Sequence, residues 1–208
     1  MMRNLIADMA LEMEGVTALM MRLCRSFDRT ATDLREAARA RLLTPAVKYF
    51  VCKTAPGFIY EAMECLGGNG YVEETMLARL YREALVNAIW EGSGNVMCLD
   101  VLRALSREPE AAGSIVHELT GETLGLPGAG EVTSFIGKAF RRPDTERVAR
   151  MAVEKLALLA ASAALNAVSP RHAELFAATR LAGNHAGMYG AVDLAPGDIG
   201  GLLERALP

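Results

Sequence analysis

With 208 residues, 51% of them hydrophobic, and a mean hydropathy of +0.18, the chain is long enough to bury a substantial core as one large or two small domains. Its 22 Lys and Arg against 25 Asp and Glu leave a formal net charge of −3, which provides no whole-chain field to draw in nucleic acid or an acidic lipid surface. The four cysteines, Cys24, Cys52, Cys65 and Cys98, lack CxxC spacing, and His117, His172 and His185 do not fall at metal-ligand intervals from them. A metal site and a disulfide framework are thereby excluded, and four buried thiols in a reducing cytoplasm are expected.

Asp8, Glu12 and Glu14 interrupt any apolar leader, and the uncharged stretch from Leu156 to Pro170 is shorter than the roughly 20 residues that cross a bilayer. A soluble, cytoplasmic protein without membrane contact is expected. Ile6, Met9, Met13, Val16, Met20, Leu23 and Phe27 recur at steps of three and four, which predicts a bundle helix from Arg3 to Phe27 with this stripe in the core. A methionine stripe at that spacing reads as core rather than as an adaptable ligand surface.

Thr44-Pro45, an N-cap residue followed by proline at the first helical position, predicts a second helix running to Leu66. Pro56-Gly57 predicts a kink or a break within it, and Gly67-Gly68-Asn69-Gly70 its stop. A third helix is expected from Leu77 to Ile89, with Leu80, Ala84 and Ala88 on one side and Arg79, Arg82 and Glu83 available for pairing. The loop Trp90 to Asn95 then leads into a fourth helix through Val96, Leu99, Leu102 and Leu105, N-capped by Ser93 or Asn95.

Glu108-Pro109 ends that helix, and the glycine-rich stretch Gly121 to Gly130 reads as a loop. Two units are expected, a helical bundle over 1–107 and a helical extension over 108–208. The extension is predicted to hold a strongly apolar helix from Val148 to Val168 and another near Ala173 to Leu181. No strand alternation or internal repeat is present, so the expected fold class is all-α.

Two turns put small residues beside a helix end. Gly67, Gly68 and Gly70 would let backbone approach a ligand or simply cap a helix, and the turn from Gly92 exposes N–H groups where the helix dipole favours phosphate. Glu91 sits beside Trp90 and an apolar run from Leu85 to Ile89. A carboxylate held there away from water would have a raised proton affinity suited to a general base; the alternative is a capping or surface carboxylate.

Taken together, LeuGlyGlyAsnGlyTyr at 66–71, ArgLeuTyrArgGlu at 79–83 and IleTrpGluGlySerGlyAsn at 89–95 resemble the C-terminal domain of acyl-CoA dehydrogenases over residues 1–107. The run from Leu80 to Arg103 resembles the AidB-like branch of adaptive-response flavoproteins. The resemblance implies an FAD-dependent oxidoreductase that removes the α-proton of an acyl-CoA thioester while the β-hydride passes to flavin, with Glu91 as the base. It further implies that Gly92 and Ser93 contact FAD, and that Gly67, Gly68 and Gly70 reach a neighbouring subunit's FAD in a homo-oligomer, dimer or tetramer. An electron-accepting flavoprotein would be the redox partner.

Glu64 stands where the family commonly has a flavin-binding glutamine, Trp90 where tyrosine and Ser93 where threonine are frequent. The rest of the flavin and thioester pocket would come from preceding domains, so the chain is expected to be a fragment, inactive by itself and without FAD. The alternative function is a DNA-associated or oligomerisation module with vestigial dehydrogenase chemistry. Arg103 would face DNA and the run from Lys138 to Lys155 would add local positive charge, giving weak, salt-sensitive binding.

Overall fold

The computed structural model describes residues 1–185 and 187–206 and folds them into ten α-helices, one 3-10 turn and one π turn, with no strand among the described residues. The all-α expectation is met. The helix α1 spans Met2–Arg29, as the periodicity predicts, but it buries a different face. Ala7, Leu11, Gly15, Leu19 and Leu23 turn inward, whereas Met13, Met20 and Phe27 are exposed, so of the seven-residue stripe only Met9 and Leu23 are buried. The inner row wins because its small residues allow close approach; a Cβ added at Gly15 would collide with the Phe176 ring. Apolarity alone did not anticipate that Asp8, Glu12 and Ser26 would also turn inward, each toward a remote polar partner.

The helix α2 spans Leu34–Cys65 without interruption, starting well before the predicted Pro45. Asp33 is its N-cap, accepting from the amides of Arg35 and Glu36, while Thr44 lies inside the helix and donates to the Ala40 carbonyl at 2.6 Å. Pro45 and Pro56 both sit within it. Each interior proline costs roughly 3 kcal/mol. Burial of the flanking Leu42, Leu43, Ala46, Val47 and Phe50 against α1 and later helices offsets that cost, so tertiary packing overrides the local start signal.

Glu36, three residues after the cap, accepts from Arg22 at 2.9 and 3.0 Å and from the Ser26 hydroxyl at 2.6 Å. Burial pushes this carboxyl toward protonation, but Arg22 and Ser26 outweigh it and hold its pKa at about 2, below the ordinary 4.5. A lowered folded-state pKa means that the stabilisation is complete above 4.5 and is lost as pH falls toward 2. Urea midpoints should therefore fall across that window in the native chain and fall less steeply in Glu36→Gln.

The short helix α3, Gly68–Tyr71, follows the predicted glycine stop, and α4, Met76–Asn87, runs back along α2. In α4 only Ala78 and Ala84 are buried; Leu80, Leu85 and Val86 are exposed, as are Ile89 and Trp90 beyond it. The helix α5, Gly94–Arg107, has Ser93 as its N-cap residue. Pro109 opens a further helix that the sequence reading missed, α6, Pro109–Glu122, and the glycines at 125 and 128, both at positive φ, turn the chain into α7, Ala129–Ala139.

A 3-10 turn, Thr145–Val148, leads to α8, Ala149–Asn166, whose residues from Leu156 to Leu165 are all buried, making it the central helix of the molecule. The helix α9, Pro170–Phe176, continues as a π turn, Ala177–Leu181, and α10, Pro196–Ala206, lies against α1. One buried cluster joins Leu11, Leu43 and Val101 to Ile115, Leu159 and Phe176, so side chains from both sides of residue 107 share a core. The cysteines are free thiols, but only Cys98 is buried; Cys24 lies on the outward face of α1, contrary to the expectation of four buried thiols. No helix among the described residues is long and apolar enough to cross a membrane.

Candidate functional site

Between α4 and α5 the backbone makes a tight reversal. Ile89 and Trp90 donate to the Val86 carbonyl at 2.9 and 3.0 Å, after which Glu91 adopts φ 56° and Gly92 φ 114°. Glu91 is the only non-glycine residue at positive φ among those described, a conformation that costs about 1–3 kcal/mol and persists only where its surroundings impose it. Gly94 then enters α5 against α2, where a Cβ would lie 2.9 Å from Lys53 Cε and 3.3 Å from Tyr49 Cε2. Glycine is needed there for close approach of the two helices.

The residue that sequence reasoning missed is Lys48. Its ammonium donates to the carbonyls of Asn87 at 3.1 Å, Trp90 at 2.8 Å and Gly92 at 3.0 Å, tying the reversal to the middle of α2. No local signal reveals this, because the register of α2 against α4 is set by packing. The turn thus brings Glu91, Gly92 and Ser93 together at the N-terminus of α5, whose first-turn amides have no side-chain cap.

Glu91 itself is exposed, as is Trp90, and no side-chain partner of Glu91 exists among the described residues. The dry setting expected beside the indole is therefore not built by these residues alone, because the apolar run preceding it faces outward. Lys48 and the strained turn present the carboxylate on the surface instead.

The second glycine turn lies at the other end of α4. The two turns are separated by this 12-residue helix, about 18 Å at 1.5 Å per residue, so one chain does not bring them together. Gly67 takes φ 57°, and a Cβ on Gly67 or Gly68 would meet nothing within 4 Å, which leaves open space for a ligand or partner. Gly70 is different: it is buried, and a Cβ there would collide with the Met63 carbonyl. Nearby, Glu64 accepts from the Tyr60 hydroxyl at 2.9 Å, a hydrogen bond that raises the tyrosine's pKa.

Arg103 is exposed and stands 3.8 Å from Asp100, which is engaged bidentately by Arg41 at 2.8 and 3.0 Å. In the basic run, Arg142 and Arg147 both pair with Asp144, and Arg150 donates to the Tyr49 hydroxyl at 3.2 Å. No group of three or more His, Cys, Asp or Glu placed to hold a metal ion occurs among the described residues. Part of the predicted stripe, Ile6, Met9 and Met13, lines an open groove of about 960 Å³ together with Met21, Phe58 and Leu66, while Leu23 stays in the core.

Residues 1–106 match the family described as the C-terminal domain of acyl-CoA dehydrogenases. The chain is similar to the putative acyl-CoA dehydrogenase AidB of Escherichia coli K12, 55% identical over 124 residues that make up 60% of this chain and 22% of that protein. It is also similar to acyl-CoA dehydrogenase family member 11 of Caenorhabditis elegans, 45% identical over 91 residues, 42% of this chain and 15% of that one. The chain therefore spans about a fifth of the length of these relatives. Its fold is shared with Caenorhabditis elegans ACDH-11, solved in complex with C11-CoA, at a TM-score of 0.70 and 24% identity, over 94% of this chain and 38% of that one.

Proposed function

The chain belongs to the acyl-CoA dehydrogenase family, whose C-terminal domain its first 106 residues match, and from that premise we propose that it is the part of an FAD-dependent acyl-CoA oxidoreductase that carries the catalytic base. The observation that carries this reading is the Glu91 turn: a carboxylate held in a strained left-handed conformation directly before uncapped amides at a helix N-terminus. Residues 108–208 are proposed as an extension that completes the core beneath that bundle.

The residues fit the flavin. Gly92 and Ser93 offer small side chains and backbone N–H groups at the positive end of α5, which suits an anionic pyrophosphate, and the open space at Gly67 and Gly68 admits a ligand at the far end of α4. FAD, when bound, would accept the hydride from the substrate's β-carbon. Glu91 would take the α-proton, so that the electron pair of the Cα–H bond becomes the α,β double bond. The exposed Leu80, Val86, Ile89 and Trp90 support cover by neighbouring subunits or domains, which would exclude water from Glu91 and raise its basicity. A dimer or tetramer that hands electrons to a separate flavoprotein completes the proposal.

Turnover by the full-length protein, with a panel of acyl-CoA thioesters and an artificial electron acceptor, tests the reaction; no reduction of the acceptor with any thioester rules it out. The 208-residue chain alone is expected to purify colourless, because only one edge of the pocket lies on it. Flavin absorbance at the chain's own concentration would show instead that the bundle suffices for binding.

A further inference from the structure

We propose that Lys48 is a positioning residue, the clamp that fixes the 88–92 turn and thereby aims the Glu91 carboxylate. Its three N–H donors meet three carbonyl oxygens, of Asn87, Trp90 and Gly92, at 2.8–3.1 Å. These acceptors straddle Glu91. A lysine that served only as a helix cap would engage the last carbonyls of α4, where a cation is favoured by the dipole. Lys48 does so through Asn87, but it also reaches past Glu91 to Gly92, and so spans the one strained residue of the turn.

The anchor is rigid. Lys48 stands mid-way along α2 between Val47 and Tyr49, both buried, so its stem leaves a fixed backbone. The turn it holds could not stay put by itself. Glu91 and Gly92 both occupy positive φ, the Glu91 side chain has no partner among the described residues, and Ser93 forms no side-chain cap. Packing of Gly94 against Tyr49 and Lys53 fixes the far side of the turn, and the ammonium fixes the near side.

Only the consequence for rate rests on reading Glu91 as the base; the clamp stands on the distances. The single tryptophan, Trp90, adjoins Glu91 and gives its own carbonyl to Lys48, so it reports on the turn directly. Lys48→Met keeps the apolar stem and removes the ammonium, and Lys48→Arg returns a cation. In the 208-residue chain, Lys48→Met should keep its far-ultraviolet helicity, lose Trp90 fluorescence anisotropy and speed exchange of the hydrogen-bonded amides at 88–90 at least about tenfold, with Lys48→Arg recovering part of the loss.

Native anisotropy and exchange in Lys48→Met overturn the clamp. Should that variant lose its helicity, Lys48→Gln, which keeps a neutral donor, takes its place with the same expectation and the same overturning result. In the full-length protein, Lys48→Met should lower kcat by up to about 10²-fold with little change in KM, as expected for a misplaced catalytic group. Glu91→Gln should leave the Trp90 signals native. If Glu91→Gln spares the rate, the base assignment fails while the exchange result still judges the clamp. If Lys48→Met leaves exchange native, the clamp fails whatever Glu91→Gln does.

Discussion

Glu91→Gln in the full-length protein is expected to slow solvent deuterium exchange at the α-carbon of a bound acyl-CoA by at least about 10²-fold, the lower end of what a positioned general base contributes. The substitution preserves shape and hydrogen-bonding reach and removes only the capacity to take a proton. The fold should tolerate it. Glu91 is exposed and has no side-chain partner among the described residues, so its stability change should stay within about 0.5 kcal/mol. Glu91→Asp is a useful companion, because aspartate accepts the left-handed backbone more readily than glutamate but sets the carboxylate back by one methylene. A rate intermediate between native and Gln would report distance dependence. Unchanged exchange in Glu91→Gln would move the base to another part of the protein and leave Glu91 a surface role.

Arg180→Met is expected to cost about 3–5 kcal/mol of stability, because it strands buried charge. Asp8 is wholly buried on α1, with one carboxylate oxygen 2.6 Å from the Arg180 guanidinium and the other accepting from the Gly190 amide at 2.8 Å. Glu12, one turn further on, pairs with the same guanidinium at 3.1 Å, and His185 lies 3.5 Å from Asp8. Removing Arg180 leaves two carboxylates facing an apolar interior with one histidine nearby. Restoring neutrality should recover part of the loss, so Asp8→Asn combined with Arg180→Met should be more stable than Arg180→Met alone. Urea unfolding followed by circular dichroism measures both. A single-variant loss under about 1 kcal/mol would mean that water enters the cluster and the pair is not a determinant of the fold.

The two results would bear on separate clusters. Arg180 and Asp8 tie the π turn and the Gly190 amide to α1, whereas Lys48 and Gly94 lock the Glu91 turn against α2. The first cluster stabilises the scaffold; the second would aim a side chain. Both are closed by residues far apart in the chain, and neither closing contact was visible as a motif.

The sequence by itself determined that the protein is helical, where several helices lie and where some of them stop. The three-and-four periodicity placed α1, the apolar run placed α8, the glycine turn from Gly67 ended α2, and the start of α5 was narrowed to Ser93 or Asn95, of which the structure takes Ser93. It also held the ordered motifs by which the family was legible, since those depend on residues within thirty positions of one another. Only the tertiary structure decided which face of α1 is buried, that α2 continues unbroken through Pro45 and Pro56, and that Lys48 rather than a local cap holds the Glu91 turn. The physical reason is range. Capping, periodicity and glycine turns act within about one helical turn and so are written locally. Part of a methionine stripe becomes groove wall, and a lysine becomes a clamp, through partners that only packing brings near.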